Sequence, residues 1–360
     1  MTTTLAPPPA DDLDHATKRW ATIGWTTGLS ALLVVTIVVA TGLGPVSVPP
    51  LTVAEIVCHH MFGWPGDIDW SRAHDAIVWQ VRTPRVLLGA CVGAALAVSG
   101  VVLQTLIRNA LADPHILGVT SGASTGAAVC LLFGSTTAAS AAALTSSAFV
   151  GAVIATVLLF LVARINGQMT SLRLLLGGVT IGYIFSAATS FLIFASDSPE
   201  GARAVLFWLL GSLGSAAWSS VGLTSGVVLI FLATLFAMGT RFDALAIGDD
   251  TARTLGFSPV RLRVYALGIV ALGVGAVVAV SGAIGFVGLI IPHIARLCVG
   301  ATHRALIPVS ALIGAIFLVA ADVVARIAFA PRELPLGIVT AVVGAPLLLV
   351  LIRRMRATST

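Results

Sequence analysis

The sequence predicts an all-α integral membrane protein, and three observations carry that prediction. Of its 360 residues 58% are hydrophobic and 10% charged, whereas soluble domains run near 45–50% apolar and about 25% charged. Mean hydropathy is +1.03. Stretches such as 30–40 and 141–163 are apolar or small throughout, without the alternation that a membrane β-barrel needs. At about 20 apolar residues per span, this composition supplies about ten helices in one integral domain and little for a separate soluble one.

Taken in order, residues 1–20 hold Pro7, Pro8, Pro9, Asp11, Asp12 and Asp14 ahead of Lys18 and Arg19 and read as a disordered cytoplasmic tail. The apolar run 23–43 is too long for a signal-peptide core, and no small-residue cleavage site closes it, so it is the first span. Apolar runs then predict spans at 84–107, 115–134, 141–164, 174–195, 218–240, 264–282, 285–299, 305–329 and 335–352, with a short half-helix at 204–214. Asp113 and Pro114 suit the cap and first turn of the third. The domain covers 21–356, and 357–360 form a C-terminal tail. With the N-terminus inside, inner segments hold fourteen of the 20 Lys and Arg and outer segments six, as the positive-inside rule requires. Both termini are therefore placed in the cytoplasm. The net charge of +5 reflects that orientation, and no aromatic-interleaved basic stripe points to nucleic acid.

Small residues predict close helix contacts. Gly118, Gly122 and Gly126 form two overlapping G-x-x-x-G steps, and Gly89 to Gly93 and Gly178 to Gly182 form one each. Ala97-Val98-Ser99-Gly100 recurs as Ala279-Val280-Ser281-Gly282, and Pro114-His115-Ile116 echoes Pro292-His293-Ile294. The two copies run oppositely through the predicted membrane, an inverted pseudo-repeat of the transporter kind.

Several chemistries are excluded. Lys18 is the single lysine and lies in the tail, so no phosphate-binding Gly-x-x-x-x-Gly-Lys loop exists and the chain does not hydrolyse ATP. Cys58, Cys91, Cys130 and Cys298 lie far apart without a C-x-x-C pair, which predicts neither disulfide nor metal site. His59, His60 and His74 share an outer loop without ligand spacing. No nucleophile stands beside a base, and no cofactor is expected on this chain.

Four polar clusters remain. Arg82-Thr83-Pro84-Arg85 opens the second span on the outside, where arginines snorkel to headgroups or clamp a carboxylate of an arriving protein. Arg108 to Pro114 is a turn at the inner end or a cytoplasmic constriction. In 241–263, Asp249 or Asp250 can cap a short helix through Leu255 that Gly256 closes before Pro259; this is a plain loop or a docking helix for a soluble partner. Asp322 and Arg326 stand one turn apart in the 305–329 span. They form a compensating pair, or Asp322 is the proton site of a secondary carrier.

The ordered motifs resemble the iron-chelate and vitamin B12 type ABC importer permeases. They are Arg82-Thr83-Pro84-Arg85, 93–100, Gln104, 109–114, Leu117-Gly118 and Ser121-Gly122-Ala123, followed by 281–289, 292–296, His303-Arg304, Ala321-Asp322, Ala325-Arg326, 333–335 and 344–346. The resemblance covers about 80–353; the tail 1–20 and loop 44–75 lie outside it. It implies a ten-helix subunit of a bacterial cytoplasmic membrane, paired with an identical copy or a paralogue around a central path. Two separate ATPase subunits, which use ATP and Mg, sit below and an extracytoplasmic binding protein above.

By the same resemblance Arg82, Arg85 and Arg326 meet acidic groups on the binding protein. Asn109, Leu111, Thr170 and Ser171 line the cytoplasmic gates. Gly178, Gly182, Ser186 and Ser190 face the path. The segment 241–257, with Asp249, Asp250, Arg253, Leu255 and Gly256, forms the coupling helices. The family usually has proline after the gate asparagine, and Ala110 there predicts a less rigid turn. The expected function is alternating access driven by the partner ATPases, with a ferric siderophore as cargo and haem or cobalamin as alternatives. The rivals are a proton-coupled carrier working through Asp322 and a passive channel.

Overall fold

The computed structural model describes residues 12–134, 140–164 and 170–357, and among them all regular structure is helical. Helix α1 runs Asp12–Gly42, so residues 12–20, predicted as disordered tail, are the first turns of a helix; residues 1–11 and 358–360 lie outside the described residues. Seven helical stretches have the length and hydropathy to cross a membrane. They are 19–42 of α1, Arg72–Ile107, α6 (Ala141–Ala163), α7 (Ser171–Phe194), α9 (Trp218–Ala237), α12 (Pro259–Ser281) and α14 (His303–Ile327). Three apolar helices are shorter: α5 (Val119–Phe133), α13 (Val287–Val299) and 336–350 of α15 (Leu336–Ala357). All ten fall on the predicted apolar stretches, and α8 (Pro199–Leu209) is the half-helix.

Three boundaries differ from expectation for physical reasons. The predicted outer loop contains α2 (Pro50–Phe62), a 13-residue helix too short to read as a span, which packs Val53 and Ile56 against Val78. The second span starts earlier than Pro84. A single turn α3 (Arg72–Asp75) runs through a π-helical segment Ala76–Arg82 into α4 (Thr83–Ile107). A proline ring clashes with the carbonyl four residues back, and the wider turn, closed by Thr83 N–H on Val78 O, accommodates it. The third span begins only at Val119, because Pro114–Leu117 forms a 3-10 turn ended by Gly118 at φ +74°.

Helix α4 is the central element, with 22 of its 25 residues buried, packed on α9, α12, α13 and α14. Glycine permits these approaches. A Cβ on Gly93 would stand 2.2 Å from Gly314 O, and one on Gly100 1.8 Å from Gly288 O. The G-x-x-x-G steps of α5 work within the subunit: Gly122 faces Gly151 and Gly126 faces Ser147 O, both in α6. The short sequence repeats take unlike conformations. Ala97 to Gly100 lie within α4, whereas Gly282 ends α12 at φ +68°; Pro114 opens the 3-10 turn, whereas Pro292 lies inside α13.

Candidate functional site

At the predicted outer end a cluster of buried charges gathers on α4 and α14. Arg85 Nε donates to Asp322 Oδ1 at 2.9 Å, and its Nη1 lies 2.9 Å from Glu333. Arg326 Nε meets Asp322 Oδ2 at 3.0 Å, so the predicted pair forms and gains a second guanidinium. Arg82 donates to Gly42 O at 2.8 Å, Thr41 O at 3.3 Å and Val46 O; Arg326 donates to Leu43 O at 3.0 Å and Ala40 O at 3.1 Å. All three arginines are less than 7% exposed. In this chain by itself the three side chains, expected to meet a binding protein, turn inward onto groups of the chain itself. The last carbonyls of α1 have no intrahelical donor, and with little water to serve them the guanidinium groups take that role.

At the opposite end two short helices project. They are α10 (Gly239–Ile247) and α11 (Asp249–Thr254). Neither aspartate caps α11 as predicted; Gly248 holds the cap position. Asp249 instead accepts Nη1 and Nη2 of Arg263, both at 2.8 Å, and pairs with Arg108, whose Nη2 also reaches Leu245 O at 3.2 Å. The bidentate Arg263 bond, helped by the charges of Arg108 and Arg253 and opposed by partial burial, holds the Asp249 carboxyl below its ordinary range. Asp250 pairs with Arg253 at 2.7 Å in full solvent. Gly256 closes α11 as predicted, at φ +82°, with Gly256 N–H on Arg253 O and Phe257 N–H on Ala252 O, both 2.9 Å. Leu255 is 58% and Ile247 75% exposed.

The segments expected to form the cytoplasmic gates meet the same end of α4. Asn109 Oδ1 accepts Leu111 N–H at 2.9 Å, and Ala112 N–H reaches Asn109 O at 3.0 Å. The Asn109 side chain thus closes this turn, in which Ala110 stands. Leu111 is exposed. Thr170 caps α7 by accepting Arg173 N–H at 3.4 Å, and the Ser171 hydroxyl donates to Leu106 O at 3.1 Å. Further along α7, Gly178, Gly182 and Ser186 line an open groove with His115, Ser121 and Tyr183. Gly178 lets α7 approach the 3-10 turn, since its Cβ would stand 2.4 Å from Ile116 O. Ser190 lies one turn beyond, exposed, with its hydroxyl on Ser186 O at 3.0 Å.

Sequence reasoning missed the roles of Arg108 and Arg263. Their spacing from Asp249 carries no local pattern; the one signal was an arginine, Arg263, immediately before an apolar run.

These features define a multi-pass membrane permease with a tethered polar projection at one end. The sequence model of the FecCD transport family matches residues 32–354, and the chain belongs to that family of ABC importer permeases. It is 37% identical to the cobalamin import system permease protein BtuC of Halobacterium salinarum, over 92% of this chain and 96% of that one. It is 41% identical to the vitamin B12 import system permease protein BtuC of Vibrio cholerae, over 77% and 83%. It is 36% identical to the molybdate import system permease protein MolB of Haemophilus influenzae, over 91% and 95%. Among solved structures, an inward-facing ABC transporter described as of metal-chelate type matches with a TM-score of 0.78 at 34% identity, covering 92% of this chain and 99% of that one.

Proposed function

We propose that this chain carries a bulky metal chelate, a cobalamin-type corrinoid or a ferric siderophore, inward across the membrane, driven by separate ATPase subunits that dock on 241–257. The observation that carries the reading is the α10–α11 projection. It is pinned to α4 and α12 through Arg108, Asp249 and Arg263, yet presents Ile247 and Leu255 to solvent. A tethered helix pair with bare apolar side chains is a handle for a soluble partner. The groove on α7, lined by glycine, serine, Ile116 and Val179 with His115 and Tyr183 and by no Asp, Glu, Lys or Arg, offers little to hold a charged cargo, which favours a bulky chelate over a small oxyanion. Affinity then resides in a separate binding protein, and ATP hydrolysis in the partner subunits. Alternating access follows when movement of the projection reaches the gates at 109–111 and 170–171.

The expectation of a ferric siderophore, with haem or cobalamin as alternatives, is revised to give cobalamin equal standing, because the similar permeases named above import cobalamin or molybdate. The test is uptake of radiolabelled cobalamin, ferric siderophores, haem and molybdate by cells carrying the wild-type chain or Asp250→Arg with Leu255→Asp, at equal membrane levels. Uptake of cobalamin or a ferric siderophore that falls at least about tenfold in the variant is expected. Uptake of molybdate alone overturns the cargo assignment. Uptake unchanged in the variant but abolished by Asp322→Asn and a protonophore overturns the ATPase coupling.

A further inference from the structure

The first residue of α14 is His303, an imidazole only 3% exposed. Its Nδ1 lies 2.6 Å from Asp243 Oδ1 in α10, and its Nε2 lies 2.8 Å from the Thr105 hydroxyl in α4. The same Asp243 oxygen accepts the His303 backbone N–H at 2.9 Å. It thereby serves an amide at the start of α14 that no intrahelical carbonyl reaches. The Phe242 ring, fully buried, stands 5.6 Å from the imidazole and covers it, while the Asp243 carboxylate is 31% exposed. A hydrogen bond to a carboxylate from a buried imidazole is short and directional, so it fixes the relative position of the elements it joins. This bridge shares no residue with the Asp249 clamp.

The other end of α14 is tied as firmly. Asp322 and Arg326, on its last two turns, hold Arg85 of α4 and the final carbonyls of α1. At 1.5 Å per residue, a helix of 25 residues is a rod of about 37 Å with a polar anchor at each end. We propose that His303 is a positioning residue through which movement of α10 is passed into α14 and along it to the outer charge cluster. The inference rests on the reading of α10–α11 as the ATPase dock. Without the bridge, α10 keeps its tie to α4 through Arg108 and Leu245 O but loses the side-chain link into α14, and the push from below reaches the outer end weakly.

The test uses the whole complex with its ATPase subunits, in a background where the four native cysteines are replaced. A cysteine at exposed Arg332, next to Glu333, reports the outer end through its maleimide labelling rate with and without ATP and vanadate. The wild-type chain is expected to show an ATP-dependent change. Thr105→Val, which removes one hydroxyl at nearly constant shape, and His303→Ala are each expected to retain the ATPase subunits and their hydrolysis while reducing that change at least about fivefold. The double variant is expected to do no worse than His303→Ala, because both act through one bridge. An ATP response at full size in both single variants overturns the proposal, as does an additive double variant. Failure of the wild-type chain to retain ATPase subunits instead overturns the docking reading, and the proposal with it.

Discussion

Asp249 is the residue whose ionisation governs the α10–α11 projection, because it is the shared partner of Arg108 and buried Arg263. Its folded carboxyl sits below the ordinary range, chiefly through the Arg263 hydrogen bonds, so the unfolded segment binds a proton more readily than the folded one. The stabilisation is therefore complete above about pH 5 and is lost as pH falls through the folded value, below about pH 4. Hydrogen exchange over 241–257, corrected for intrinsic rate, is expected to show constant protection from pH 7 to pH 5 and falling protection below pH 4. Asp249→Asn is expected to lose about tenfold of that protection at pH 7 and to show little further acid dependence. A wild-type profile that stays flat to pH 3 would exclude the clamp. The acidic pair itself was legible in sequence as a helix start, since Asp and Asn favour caps. Its real partners were not, because Arg108 and Arg263 approach only when α4 and α12 pack. Asp322 with Arg326 shows the converse: a carboxylate inside a span needs a neighbouring cation, so the i,i+4 pair was readable, while Arg85, 237 positions away, was not.

Among elements, the spans were legible because each is a run of apolar residues long enough to write its own signature. Helix α2 was not, since it buries only Val53 and Ile56 and its length is that of a loop helix. The π-helical entry to α4 was hidden because Pro84 reads equally well as the first residue of a helix. What sets the packing of α4 is glycine, and the sequence pattern identified the contact type without the partners. Gly100 stands against Gly288 O, where a Cβ would lie 1.8 Å away, while Gly222 in α9 has nothing within 4 Å. Gly100→Ala is expected to separate α4 from α13 and cost about 1–3 kcal/mol, lowering the unfolding midpoint of the purified protein. Gly222→Ala is expected to be neutral or stabilising by about 0.5–1 kcal/mol through helix propensity. Equal midpoints for the two variants would refute the close α4–α13 approach.

For the whole molecule, α7 presents one of several apolar faces that the described residues leave uncovered, beside those of α1, α6 and α9. Leu172, Leu176, Tyr183, Phe191 and Phe194 are all more than half exposed, and the groove of Gly178, Gly182 and Ser186 runs between them. Lipid covers a uniformly apolar face well, but it leaves the exposed Ser186 hydroxyl without a favourable neighbour, while Ser190 bonds Ser186 O within the helix. On the proposed function, a second copy of the chain presenting the same face across a two-fold axis would enclose them in a water-filled path instead. The face of α6 that carries Val150, Ile154 and Val157, also exposed, bears one hydroxyl at its start, Ser146, which bonds Ala142 O within the helix, and suits lipid. Single cysteines at Ser186 or Ser190 are therefore expected to join two copies when treated in membranes with bifunctional thiol reagents of graded length, with the yield peaking at one length that reports the width of the path. A cysteine at Ile154 is expected to give no such peak. Cross-linking at Ile154 and none at Ser186, in protein that still supports uptake, would move the path away from α7.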